Sequence, residues 1–294
     1  MVLLALCVST NAHAVSSCQD IQTNYDLVKA DAVSVQTNSA LFAAADNGCE
    51  DLARKLIATG ASVLARDRRG AMPLAHAARA GELSLVSLFL AGGAPINSRD
   101  LDGGTALFAA AEHDKSSSVA TLLAKGADPN LSGRSGLTPL IAAAFTGDDQ
   151  IVKELMAHGA DWNARDQTGK TAMSYAAARG FDGIVHRLLD AGIDARARYG
   201  NDLTALMWAS GHEKGVSPEA SARVIDLLLA HGANLDDTDN RGRTALMIAA
   251  DLGYADVVEI LVHRGADRAK KDHDGKTALD LAANSAVREK LTAE

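Results

Sequence analysis

The chain has 294 residues, of which 47% are apolar, 22% charged and only 4% aromatic, and its formal net charge is −8. That balance excludes a disordered or collagen-like chain, and the acidic excess argues against general nucleic-acid binding, which relies on clustered Lys and Arg. Alanine and leucine carry the apolar share, so an all-α core of small, closely packed side chains is expected, and no later apolar run approaches the roughly 18 residues of a spanning helix.

Residues 1–8 are wholly apolar and are followed by Ser9-Thr10-Asn11 and Ala12-His13-Ala14. This is the pattern of a signal h-region with an A-x-A cleavage site. The first basic residue is Lys29, so the basic n-region is missing and Met1 is expected to lie inside a longer signal. Leu4-Ala5-Leu6-Cys7 makes a poor lipoprotein box, because Leu6 is large where a small residue is normal. An apolar tail packed on the first repeat is the plainer alternative. Cleavage after Ala14 removes Cys7 and leaves Cys18 and Cys49. Two thiols in an oxidising compartment are able to form one disulfide, and two free thiols are the other outcome. Residues 15–38 are expected to hold an N-terminal capping helix over 18–34, with Ile21, Tyr25, Leu27 and Val28 in helical register.

From residue 39 onward the chain repeats itself. Ser39-Ala40-Leu41, Met72-Pro73-Leu74, Thr105-Ala106-Leu107, Thr138-Pro139-Leu140, Thr171-Ala172-Met173, Thr204-Ala205-Leu206, Thr244-Ala245-Leu246 and Thr277-Ala278-Leu279 share one frame. Their third residues advance by 33 five times, then by 40, then by 33. Glycines 60, 93, 126, 159, 192, 232 and 265 show the same steps with the same single step of 40. Two independent markers in one register identify a repeat array.

Each unit has a physical reading. Threonine suits the N-cap and Pro or Ala the first helical position, so a short first helix begins there. A turn follows, with Gly48, Gly81, Gly147, Gly180 and Gly253, and then an aliphatic run such as Ile151-Val152 to Leu155-Met156 at helical spacing. The glycine after this second helix suits a left-handed C′ residue. Asp-x-x-Gly, as in Asp67 to Gly70, Asp100 to Gly103, Asp166 to Gly169 and Asp239 to Gly242, reads as a tight turn at a hairpin tip.

At these residues the chain resembles the ankyrin repeat family. Ser135-Gly136-Leu137-Thr138-Pro139-Leu140-Ile141-Ala142-Ala143 follows the family pattern closely, with Ile141 where the family usually carries histidine. The resemblance implies an α-solenoid of helix–turn–helix units with a β-hairpin loop in each, spanning 39–294 as seven full repeats and a truncated C-terminal cap. The motif histidine is replaced throughout, by Phe42, Ala75, Phe108, Ile141, Ser174, Met207, Met247 and Asp280, which favours apolar packing over a loop-bracing hydrogen bond.

No catalytic chemistry stands out. Gly169-Lys170-Thr171 and Gly275-Lys276-Thr277 end like phosphate loops, but Ala164 and Lys270 occupy the earlier glycine position. The nine histidines show no metal-ligand spacing; His158, His231 and His263 sit at ends of second helices, where a partly charged imidazole is favoured. There is no Gly-x-Ser-x-Gly elbow and no Cys-x-x-Cys pair. A non-enzyme without metal or cofactor is expected.

The family's groove is lined by residues flanking the turn glycine and closing the first helix. Carried over by position, those slots hold nine cations, among them Arg68, Arg69, Arg134 and Lys170, against five carboxylates, in a chain of net charge −8. A protein partner with an acidic or mixed surface fits this excess, although long cations at loop tips also simply aid solubility. Leu101, Leu137 and Phe145 are the apolar candidates on neighbouring repeats, either a contact patch or side chains folded back on the array. The step of 40 places seven extra residues near 211–217, before a second helix that opens at Ser217-Pro218-Glu219. The reading is a monomeric protein-interaction scaffold in the periplasm, of enzyme-holding or toxin-neutralising type. A secreted effector binding host proteins and a cytoplasmic adaptor with a mis-assigned start are the alternatives.

Overall fold

The computed structural model describes residues 17–28, 34–211 and 215–293. The apolar start with Cys7 and its cleavage site therefore lies outside the described residues, as do residues 212–214 of the insertion.

Helix α1 (Cys18–Val28) precedes a series of helix pairs. The first four are α2 (Ser34–Asp46) with α3 (Glu50–Ala58), α4 (Pro73–Ala80) with α5 (Leu83–Ala91), α6 (Ala106–Glu112) with α7 (Ser116–Ala124), and α8 (Pro139–Thr146) with α9 (Asp149–Ala157). They continue as α10 (Ala172–Ala178) with α11 (Asp182–Asp190), α12 (Ala205–Ser210) with α13 (Pro218–Ala230), α14 (Ala245–Leu252) with α15 (Ala255–His263), and α16 (Ala278–Leu281) with α17 (Ser285–Thr292). First helices pack on first helices, as α4 on α6 and α10 on α12, and second helices on second helices, as α7 on α9 and α11 on α13. The result is an all-helical solenoid in which each unit buries its apolar face against its neighbours.

The core follows the repeat register. Leu74, Leu107, Leu140, Met173, Leu206 and Leu246 are fully buried, while Leu279 on α16 is 37% exposed. Thr105, Thr138, Thr204, Thr244 and Thr277 each accept the backbone N–H three residues on, closing the helix starts as N-caps at about 1 kcal/mol each. The first unit departs from this frame. There α2 runs from Ser34, and Ser39 lies inside the helix, donating its hydroxyl to the Val35 carbonyl.

Helix α1 is covered on one face only. Ile21 is buried, whereas Leu27 and Val28 are exposed. Cys18 and Cys49 form a disulfide with their Cα atoms 5.5 Å apart. It ties the start of α1 to the buried turn before α3.

The loops are tighter than the expected β-hairpins. Among the described residues the one bridge is Arg198 with Thr204, and the loops close by short-range backbone bonds, as from Asp67 N–H to Ala71 O and Gly70 N–H to Asp67 O, and from Asp166 N–H to Lys170 O and Gly169 N–H to Asp166 O. The turn aspartate does the local work: Asp67 Oδ1 accepts from the N–H groups of Arg69 and Ala71, and Asp100, Asp166 and Asp239 repeat the pattern. Neighbouring loops are then stitched by arginines. Arg66 donates to Gly70 O and onward to Arg99 O, Arg99 to Gly103 O and Ser132 O, Arg165 to Gly169 O and Arg198 O, and Arg198 to Asp202 O and Thr238 O. These four arginines satisfy backbone carbonyls that the loops would otherwise leave to water.

The insertion divides between loop and helix. Ser217 caps α13 through Ala220 N–H with Pro218 in the first turn, and α13 runs for 13 residues where α11 has nine. Part of the added length is therefore helix rather than loop.

Candidate functional site

Loops and first helices together enclose a groove. One concavity in it, about 300 Å³, lies between the loops and first helices around α4 and α6 and is walled by Asp67, Arg69, His76, Arg79, Asp102, Phe108, Glu112 and Arg134. Charges of both signs face one another across it. Arg69 reaches Asp102 at 3.4 Å, Arg134 donates to Glu112 at 2.5 Å, and Arg79 donates to Asp46 at 2.6 Å. Half-exposed pairs of this kind contribute little stability each, but they neutralise much of the positive excess read from the loop positions. Arg68 has no ion-pair partner among the described residues and is exposed.

His76 anchors one wall. Its Nδ1 lies 2.9 Å from Asp46 and its Nε2 3.1 Å from Asp67, so it joins the end of α2 to the turn that precedes α4. Burial works against the Asp46 carboxylate, but hydrogen bonds and charge from His76 and Arg79 outweigh it and hold the carboxyl below its ordinary value. His76 stands nine residues after the turn aspartate, and Tyr175 occupies the same place after Asp166, donating its hydroxyl to that carboxylate at 2.7 Å. Burial again opposes the charge on Asp166, and the bonds from Tyr175, Thr168 and backbone N–H groups of Thr168 and Lys170 prevail to lower its pKa. A loop-bracing bond, against which the missing motif histidine argued, is thus present one residue further along. The equal spacing of Asp67 to His76 and of Asp166 to Tyr175 was the sequence signal for it.

At the motif position itself the apolar expectation is met. Phe108 is buried, and a Cβ at residue 133 would lie 2.7 Å from its ring. Glycine takes the place of the turn aspartate there for want of room. Without that aspartate the loop tightens into a 3₁₀ turn with Ser135 at φ 55°. The turn aspartate is also missing at Tyr199, where the loop is again 3₁₀, with Asn201 at φ 61°, and burial pushes the phenol up to about 12.

The candidate contact residues form two groups. Leu101 is 80% exposed and donates its N–H to Arg69 O, which sets an apolar side chain beside Arg68 and Arg69 at the loop tips. Arg134 lines the same concavity. Phe145 and Lys170 belong to a second group, built around Tyr175. The Phe145 ring meets Tyr175 edge-on at 5.7 Å, and Lys170 Nζ lies 5.2 Å from the Tyr175 centroid and 4.9 Å from that of Trp208. Leu137 is half-buried at the end of its turn and presents less surface than Leu101. Tyr175 and Trp208, neither singled out in the sequence, complete this second group.

Short antiparallel helix pairs, stacked in register with tight loops projecting on one side, define a solenoid repeat protein of the recognition-scaffold class. The family model described as "Ankyrin repeats (3 copies)" matches residues 41–133, 107–199, 140–218, 182–272 and 217–291, and the chain belongs to the ankyrin repeat family. Membership implies protein–protein interaction, and such scaffolds are typically non-enzymatic. No curated protein matches the chain. None of the helices among the described residues is long and apolar enough to cross a membrane.

Proposed function

We propose that the groove across repeats two to five binds a segment of one protein partner, and that the protein works in an oxidising, extracytoplasmic compartment such as the periplasm, holding an enzyme or neutralising a toxin. The observation that carries the binding reading is the exposed Leu101, which sits in the chain between Asp100 and Asp102, two residues that line a concavity whose walls carry both charges. Arg68, Arg69, Arg134 and Lys170 set orientation and association rate, and Leu101, Leu137 and Phe145 supply desolvated contact area, the usual division between charged and apolar contacts. Because Arg69 and Arg134 already face Asp102 and Glu112, the matching partner surface is mixed in charge rather than uniformly acidic. The compartment reading rests on the Cys18–Cys49 disulfide and on the apolar start ending in Ala12-His13-Ala14.

The test combines capture and kinetics. The partner retained by the wild-type chain from periplasmic extract is identified by mass spectrometry and measured against variants. Arg68→Glu with Arg69→Glu slows association and changes its salt dependence, whereas Phe145→Ala raises the dissociation rate, at roughly 1–2 kcal/mol of binding. Wild-type kinetics in both variants would remove the groove from consideration and turn attention to residues 211–217. N-terminal sequencing from the native host begins at Val15 in this reading. Recovery in the medium favours the secreted effector, and an intact Met1 on cytosolic protein favours the adaptor.

A further inference from the structure

On the second-helix side, away from the groove, three donors from two repeats converge. His186 and Asp190 stand one turn apart on α11, with Nδ1 and Oδ1 3.5 Å apart, and the ring of His231, which follows α13, lies 6.2 Å from that of His186. One donor atom from each of the three falls within 4.8 Å of the others, and all three side chains are exposed. The separation of 45 residues between the histidines hid this grouping from any search for local ligand spacing.

We propose that His186, Asp190 and His231 form a binding site for a borderline transition-metal dication, Zn²⁺ in the first instance, which clamps repeat five to repeat six. Two further observations support it. The first is tautomeric: His231 Nδ1 lies 2.8 Å from the Leu227 carbonyl, which can only accept. Nδ1 therefore carries the proton and Nε2 keeps its lone pair, the arrangement found where a ligating imidazole is oriented by a backbone carbonyl.

The second is positional. His186 and His231 occupy the places that Asp226 and Arg264 hold in the following pair of repeats, 40 and 33 residues on. There, Arg264 donates to both Asp226 oxygens at 2.8 Å and ties one second helix to the next. Two imidazoles in that position cannot pair electrostatically with each other. A dication bound between them restores the clamp, and Asp190 contributes charge neutralisation. The junction it spans is the one that carries the insertion before α13.

Imidazole and carboxylate donors suit Zn²⁺, Ni²⁺ and Cu²⁺ and not the hard cations, which prefer all-oxygen shells. Zinc takes nitrogen at about 2.0–2.1 Å, so donors in a tetrahedral shell stand about 3.4 Å apart. Closing from 4.8 Å needs only small rotations of exposed side chains. Three protein ligands leave the fourth position to water.

The experiment titrates the full chain with zinc chloride alone, following heat and thermal unfolding. One Zn²⁺ per chain is expected to bind and to raise Tm. His186→Gln and His231→Gln should each weaken binding tenfold or more and abolish the Tm shift, and Asp190→Asn should weaken it less. His158→Gln is the control: His158 follows α9 with Nδ1 2.9 Å from Glu154 O, like His231, but has no place in the cluster. Copper substitution adds a spectroscopic readout, hyperfine structure from two imidazole nitrogens that falls to one in either histidine variant. Absence of saturable one-to-one binding overturns the proposal. So does binding that survives His186→Gln, or that His158→Gln removes equally.

Discussion

The guanidinium of Arg179 lies over the ring of Phe145, its carbon 4.1 Å from the ring centroid. Phe145 is 44% exposed, so the contact is made at the surface of the groove, between the end of one first helix and the end of the next. A double-mutant cycle of Phe145→Ala and Arg179→Ala in thermal unfolding should return a coupling of about 0.5–1 kcal/mol. Additive effects would mean that the two side chains are not stacked in solution. The contact also explains how a large ring is held in a fixed position while remaining available to a partner.

The disulfide closes a loop with a sequence separation of 31. In the chain-entropy description such a closure contributes roughly 3 kcal/mol. Reductant, or Cys49→Ser, should therefore lower the midpoint of the first unit's unfolding, and thiol labelling of the oxidised, mature protein should find neither Cys18 nor Cys49 reactive. Two labelled cysteines in protein isolated under non-reducing conditions would contradict the bond.

Two glycines should fail for different reasons. Gly159 follows α9 at φ 83° with open space around a Cβ, so Gly159→Val strains the backbone alone and should cost on the order of 1–2 kcal/mol. Gly133 has ordinary negative φ, but a Cβ there meets the Phe108 ring at 2.7 Å, so Gly133→Ala collides with a buried side chain. Pairing Gly133→Ala with Phe108→Leu should recover part of the loss, whereas no neighbouring change should rescue Gly159→Val. Thermal unfolding of the four proteins separates the two causes.

Acid should relieve one junction. Asp114, at φ 60° where other repeats carry glycine, has its carboxyl raised above 3.8, first by its hydrogen bond with Asp148, then by burial and the charge of that neighbour. The folded state thus holds this proton more tightly than the unfolded chain. The like-charge cost is present above the folded pKa, fades as pH falls towards 3.8, and is gone below it. Asp114→Asn should raise stability by a few tenths of a kcal/mol at neutral pH, the modest scale of exposed charges. The gain should vanish near pH 3, and a gain that persists there would assign it to the left-handed backbone instead.

How much of this was legible in the sequence depends on whether the signal is local. The N-cap threonines, the turn aspartates and the left-handed glycines are each fixed within a few residues of chain, and the structure finds them where the repeat register puts them. The loop-bracing bond was misjudged because the search stopped at the motif position, one residue short of His76 and Tyr175. The extent of the insertion was misjudged because Pro218 and Ser217 mark where α13 starts but not how much of the added length becomes helix.

The sequence by itself determined the architecture, because a period of 33 residues with caps and apolar stripes in register leaves one way for neighbouring units to bury their faces. The tertiary structure decided which charges remain available and which donors meet. Arg69 and Arg134 are engaged by Asp102 and Glu112 while Arg68 is not, and His186 comes to His231 across two repeats. Those pairings depend on side-chain reach between units about one period apart. A linear pattern records which residue occupies each slot, but not which neighbour its side chain will find.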